Sequence, residues 1–165
     1  EIFFLTDVSK FVDFLFEPAL LVIIGTILSV YFYFNKRKKE GMVFFISLAI
    51  MSIIVEFLKF LFDRARPLNF LILREDYSFP SGHAAVTILF FGFLSYFFFK
   101  NKSARVKLIS YIVAGFLILL TGFTRIYLRV HWFTDVLVGY LIGGIILAGA
   151  IVVMRKGETN LHRLI

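Results

Sequence analysis

The chain has 165 residues, 60 % of them hydrophobic and 23 of them Phe, no Cys, and a net charge of +7 from 18 basic and 11 acidic groups. A domain this small cannot enclose so much apolar surface away from water, and a mean hydropathy of +0.90 points to an all-α integral membrane protein, not a basic soluble nucleic-acid binder. The lack of Cys excludes a disulfide framework, a thiol nucleophile and a thiolate metal site.

Residues 1–17 carry Thr6, Ser9, Lys10, Asp13 and Glu17 on one side of a helix and Phe4, Leu5, Val8, Phe11, Val12 and Leu15 on the other. That pattern predicts an amphipathic helix lying in the membrane interface, with a truncated sixth span as the alternative. A signal peptide fits poorly, for want of a basic start and a small-residue cleavage site. Five apolar stretches of roughly spanning length follow, at 18–34, 41–62, 83–99, 106–124 and 136–154. Residues 155–165 read as a polar tail, and no repeat, linker or second domain interrupts the bundle.

The connections alternate in charge. Lys36, Arg37, Lys38 and Lys39 fill one, Lys100, Lys102, Arg105 and Lys107 another, and Arg155, Lys156 and Arg163 the tail. With five spans these three lie on one side, which the positive-inside rule makes cytoplasmic. Eleven basic and two acidic residues give that side +9, and seven basic with nine acidic give the other −2. The net charge therefore records orientation.

The opposite, outer side gathers the chemistry. Lys59 and Arg66 are seven positions apart, two turns if the second span continues to Pro67. Pro80-Ser81-Gly82-His83 reads as a helix start in which Ser81 caps and Gly82 admits close approach to free N–H groups that suit an anion. Arg125 ends the fourth span, and His131 and Asp135 stand four apart on one face of the fifth. Three permanent cations, two imidazoles and one carboxylate suit a phosphate better than a metal, which favours His and carboxylate ligands over Lys and Arg. Asp135 is placed to fix the tautomer of His131 as it attacks phosphorus. His83, with no acid at helical spacing, is placed to give a proton to the departing oxygen and then activate water.

The pattern Lys-x6-Arg-Pro at 59–67, Pro-Ser-Gly-His at 80–83 and Thr-Arg-x5-His-x3-Asp at 124–135 resembles the type 2 phosphatidic acid phosphatase superfamily. The resemblance covers nearly half the chain, with Thr124 where the family usually has Ser. It implies a metal-independent, cofactor-free lipid-phosphate phosphatase working through a phosphohistidine. His131 is then the nucleophile, Asp135 its partner and His83 the general acid, with Lys59, Arg66, Ser81, Gly82 and Arg125 as the phosphate cradle. The partners implied are a lipid phosphate, water and the bilayer of a bacterial cytoplasmic membrane. Lipid A 1-phosphate is the preferred substrate, on the ground that Arg64, Arg74 and Arg129 are available for a second anionic group. Phosphatidylglycerophosphate and undecaprenyl diphosphate are the alternatives.

Bland readings stand beside these. Lys59, Arg66 and Arg125 are explained singly as snorkelling residues at span ends, and His131-Trp132 as an interfacial anchor. Arg64, Arg74 and Arg129 are explained as surface charge balanced by Asp63, Glu75 and Asp76. Glu56 and Asp63 are both within reach of Lys59, and His162 reads as a solvated tail residue. A small carrier is the competing class, but transport sites lie near the bilayer midplane, whereas these charges share one interface.

Overall fold

The computed structural model describes residues 3–74 and 76–161, with side chains as far as 156. Glu75, His162 and Arg163 lie outside the described residues. Six helices follow in order: α1 (Phe3–Leu15), α2 (Pro18–Phe34), α3 (Lys38–Phe62), α4 (Gly82–Phe99), α5 (Ala104–Tyr127) and α6 (Phe133–Leu161). Five stretches are long and apolar enough to cross a membrane, the first running through α1 and α2 as Phe3–Phe34. The break between those two helices falls at Pro18, which has no amide hydrogen to give and occupies the start of α2.

Helices α3, α5 and α6 extend past the apolar stretches expected for them. Lys38, Lys39 and Glu40 begin α3, and α6 carries on to Leu161 through residues assigned to the tail. Long polar side chains are good helix formers and keep their charged ends in water, so hydropathy marks where the lipid ends and not where the helix does. At its other end α3 stops at Phe62, with Asp63 in the left-handed region at φ 44° and its N–H donating to Lys59 O. The two turns expected between Lys59 and Arg66 are therefore absent.

The 13 residues of α1 make about 20 Å of helix, against about 30 Å of bilayer hydrocarbon. Its polar face does not lie against water as expected for an interfacial helix. Thr6, Ser9 and Asp13 are buried against the protein, while Phe3, Phe4, Phe11 and Phe14 are 63–83 % exposed. The inversion has a simple cause: a bilayer accepts outward Phe side chains at no cost but offers no partner to a hydroxyl or carboxylate. Thr6 finds one in Tyr127, 2.9 Å away at the end of α5.

Helix α4 is the hub, packed by α2, α3, α5 and α6, and most of its side chains are buried. Phe93 stacks on Phe44 of α3 with ring centroids 4.1 Å apart, so part of the Phe excess is core and part is lipid-facing. Helix α6 approaches α4 backbone to backbone at Gly139 and Gly143. A Cβ on Gly139 would lie 2.5 Å from Ser81 O, and one on Gly143 would collide with Ala85 O. This contact brings the start of α6 to the start of α4, where Ser81 N–H donates to Asp135 O at 3.0 Å. Two motifs 50 residues apart are joined at one helix end.

Candidate active site

The starts of α2, α4 and α6 and the ends of α3 and α5 meet at the same end of the bundle, and a small cavity lies among them. It is lined by Glu17, Pro18, Lys59, Arg66, Arg74, Asp76, Gly82, His83, Arg125 and His131. Its volume of about 50 Å³ is the scale of a few water-sized groups. Larger cavities elsewhere are apolar grooves between helices or lie among the basic residues of the far end.

His131 is 4 % exposed. Its Nδ1 lies 2.6 Å from Ser78 O and 3.7 Å from Asp135 Oδ2. A carbonyl oxygen only accepts, so Nδ1 carries the hydrogen, and Nε2 is left with its lone pair toward the cavity. The backbone of Ser78 thus makes the contact that the sequence assigned to Asp135. Burial, reinforced by Arg125, Arg66 and His83 and opposed by Asp135, holds the imidazole down at about 4, so His131 is neutral at pH 7.

Asp135 is fully buried and tied elsewhere. Arg64 Nη1 donates to its Oδ1 at 2.7 Å, and Trp132 N–H to its Oδ2 at 2.9 Å. Arg64 also donates to Thr134 Oγ1 and lies over the Trp132 ring, 5.5 Å from its centroid. Trp132 Nε1 in turn donates to Ala65 O at 3.0 Å. Arg64 was expected to reach a substrate headgroup; it is instead the counter-ion that holds Asp135.

Lys59 and Arg66 are brought together by a carboxylate and not by helical register. Asp76 lies 2.5 Å from Lys59 Nζ through one oxygen and 2.6 Å from Arg66 Nη2 through the other. Partial burial alone would push the Asp76 carboxyl up, but the two cations hold it at about 2. Arg66 also donates to the backbone oxygens of Asp76, Tyr77 and Val130, and its Nη1 lies 3.4 Å from His131 Nε2. It staples the 76–77 loop to the 130–131 loop.

Ser81 caps α4, its Oγ accepting from Ala84 N at 3.4 Å, and stands behind the cavity wall formed by Gly82 and His83. A Cβ on Gly82 would meet only ordinary contacts, Val55 at 3.6 Å and Pro18 at 3.7 Å. Packing therefore does not require glycine there. Thr124 donates to Thr121 O at 2.8 Å and is buried away from the cavity.

Arg125 is completely buried. Its Nη1 pairs with Asp13, while Nε and Nη2 have no hydrogen-bond partner among the described residues. Two buried guanidinium N–H groups without acceptors are costly unless an anion arrives to take them.

The largest departure from the sequence reading is at His83. Asp13 Oδ1 lies 3.1 Å and Glu17 Oε2 3.5 Å from its Nε2. Arg74, expected to face a headgroup, bridges the same two carboxylates at 3.0 and 2.8 Å. Asp13, Glu17 and His83 offer atoms within 4.8 Å of one another, yet Arg74 and Arg125 already compensate this acidic pair, so it reads as an ion-pair network and not as a cation site. Arg129 is exposed, at φ 56°, and does not line the cavity. Asp13, Glu17, Asp76 and Ser78 escaped sequence reasoning as site residues; the one available signal was the four-residue spacing of Asp13 and Glu17 around the break between α1 and α2.

A family model described as the PAP2 superfamily matches residues 40–158. The chain is 33 % identical over 132 residues to phosphatidylglycerophosphatase B of Bacillus subtilis, covering 78 % of this chain and 63 % of that protein. It is 32 % identical over 123 residues to undecaprenyl-diphosphatase of Sulfolobus acidocaldarius, covering 67 % of this chain and 53 % of that protein. The chain thus spans less than two thirds of the length of these curated relatives. It superposes on the crystal structure of a transmembrane PAP2 type phosphatidylglycerolphosphate phosphatase from Bacillus subtilis with a TM-score of 0.81 at 26 % identity, covering 94 % of this chain and 78 % of that one. Against LpxE of Aquifex aeolicus the TM-score is 0.67 at 25 % identity, covering 92 % and 86 %. A family match over most of the chain, joined to transmembrane neighbours of the same fold, establishes that this five-span helical protein belongs to the PAP2 superfamily.

Proposed function

We propose that the protein is a lipid-phosphate phosphatase that transfers the phosphoryl group to His131 and then to water. The observation that carries this reading is one cavity lined by a neutral imidazole, with its lone pair inward, and by an arginine with two nitrogens that have no partner among the described residues. His131 Nε2 attacks phosphorus, the bond to the headgroup oxygen breaks, and protonated His83 gives its proton to that oxygen. Arg125 and Gly82 bind the phosphoryl oxygens, and Lys59 and Arg66 join them as the phosphate displaces Asp76. Neutral His83 then takes a proton from the water that releases phosphate from His131.

No step in this sequence calls on a metal ion, because guanidinium groups supply the positive charge. Phosphate release that persists in chelator is the expected result, and loss of activity restored by a divalent cation contradicts it.

For the substrate, the argument for lipid A 1-phosphate loses its footing, since Arg64 and Arg74 are bound to carboxylates of the protein itself. A phosphate monoester on a glycerol headgroup, phosphatidylglycerophosphate, fits better and agrees with the names of two of the proteins this chain is similar to. The basic residues at the far end of the bundle orient the site toward the exterior of the cytoplasmic membrane, so substrate enters from the outer leaflet. Purified protein in detergent is expected to release phosphate fastest from phosphatidylglycerophosphate in a panel with lipid A and undecaprenyl diphosphate. A clear preference for either of the other two overturns the assignment of substrate.

A further inference from the structure

Asp13 on α1 and Glu17 at the start of α2 reach His83 from a segment that precedes every motif, and they meet it at a telling atom. Nε2 of His83 is buried, lies within 3.5 Å of both carboxylates and has no aligned hydrogen bond among the described residues. His83 is 5 % exposed and opens onto the cavity. In the proposed reaction the departing oxygen must come to this nitrogen, so the leaving group enters beside two carboxylates. Among the described cations here, Arg74 bridges both carboxylates and Arg125 pairs with Asp13.

We infer that Asp13 and Glu17 are specificity-determining residues that select a neutral, hydroxyl-bearing leaving group over an anionic one, and so a phosphate monoester over a diphosphate. The inference rests on the proposed phosphatase reading. With a monoester, the P–O bond to the headgroup breaks, His83 protonates the oxygen, and a neutral alcohol stands before the two carboxylates. Its hydroxyl groups then donate to them. With a diphosphate the same bond changes leave a phosphate monoester on the lipid, and its negative charge faces Asp13 and Glu17. With Arg125 shared with the transferring phosphoryl group and His83 neutral once its proton is given, Arg74 alone offsets the two carboxylates, and the remaining negative charge disfavours that transition state.

The test uses two substrates with one chain, farnesyl monophosphate and farnesyl diphosphate, on the purified full chain in detergent. The unmodified protein is expected to prefer the monophosphate in kcat/KM. Asp13→Asn and Glu17→Gln are each expected to raise the diphosphate to monophosphate ratio by about tenfold. The ratio cancels any general loss of folded protein. If Asp13→Asn does not fold, Glu17→Gln decides, because that side chain is 34 % exposed and tolerates change. A ratio that stays constant or falls overturns the inference, even with the phosphatase reading intact. Retention of phosphate release by His131→Ala overturns the phosphatase reading itself.

Discussion

His131 is held by a backbone carbonyl, whereas His83 is held by carboxylates. Around His131 the constraints come from the 64–66 and 76–78 segments and from its own turn: Ser78 O at 2.6 Å, and Asp135 locked by Arg64 and Trp132. Around His83 they come from ion pairs with Asp13, Glu17 and Arg74. A backbone carbonyl fixes direction without adding charge, which suits a nucleophile that must stay neutral. Carboxylates place charged acceptors beside the ring on the side where, in the proposed reaction, the leaving group arrives.

Removing each histidine should separate the two sides most strongly. His131→Ala is expected to lower phosphate release by about 10⁴-fold or more for every substrate, since it removes the attacking nitrogen. His83→Ala should cost about 10²–10⁴-fold on lipid substrates, and much less on an aryl phosphate whose leaving group needs no proton. Equal losses on both kinds of substrate contradict the assignment of His83 to the leaving-group side.

Arg125→Ala comes next, with a loss of about 10²–10³-fold in kcat as its two N–H groups disappear from the phosphoryl oxygens. Lysine is not expected to restore it, because an ammonium cannot reproduce the fork. Arg64→Ala tests whether the nucleophile side depends on a residue that never meets substrate. A fall of about tenfold in kcat with little change in KM is expected, whereas a rise in KM alone assigns Arg64 to the headgroup after all.

Two smaller effects concern pH. Burial holds the His131 imidazole down at about 4, so kcat/KM should show no loss from this group above about pH 5 and should fall at lower pH as the ring is protonated. Asp76 sits at about 2 against its ordinary 3.8, so its contribution to stability is present above 3.8 and is lost as pH falls toward 2. Asp76→Asn should flatten the acid branch of unfolding in detergent. An unchanged acid branch contradicts the clamp between Lys59 and Arg66.

How much was legible in the sequence follows the same division. The helical bundle and its five spans were legible because apolar run length reports lipid thickness directly. The shared helix face expected for His131 and Asp135 does not form, since α6 begins at Phe133 and His131 lies in the loop before it, but their pairing was legible in part because the motif is contiguous. Asp13 and Glu17 were not, since they meet His83 from 70 and 66 positions away across a packed interface. An amphipathic pattern gives the two faces of α1 but not which one meets water, and in a bilayer the answer inverts. For Arg64 and Arg74 both readings, headgroup contact and balanced surface charge, missed the actual partners for a related reason. A cation near a site reads as available until its counter-ion is located, and both counter-ions lie far away in sequence.

The central claim is that His131 carries the phosphoryl group. Rapid alkaline quenching during turnover, followed by mass spectrometry of peptides, measures it most directly, because phosphohistidine survives alkali. The account predicts a phosphoryl group on the peptide containing His131, increased in His83→Ala and absent in His131→Ala. Phosphate release at full rate with no phosphorylated peptide, or with the group on another residue, contradicts it.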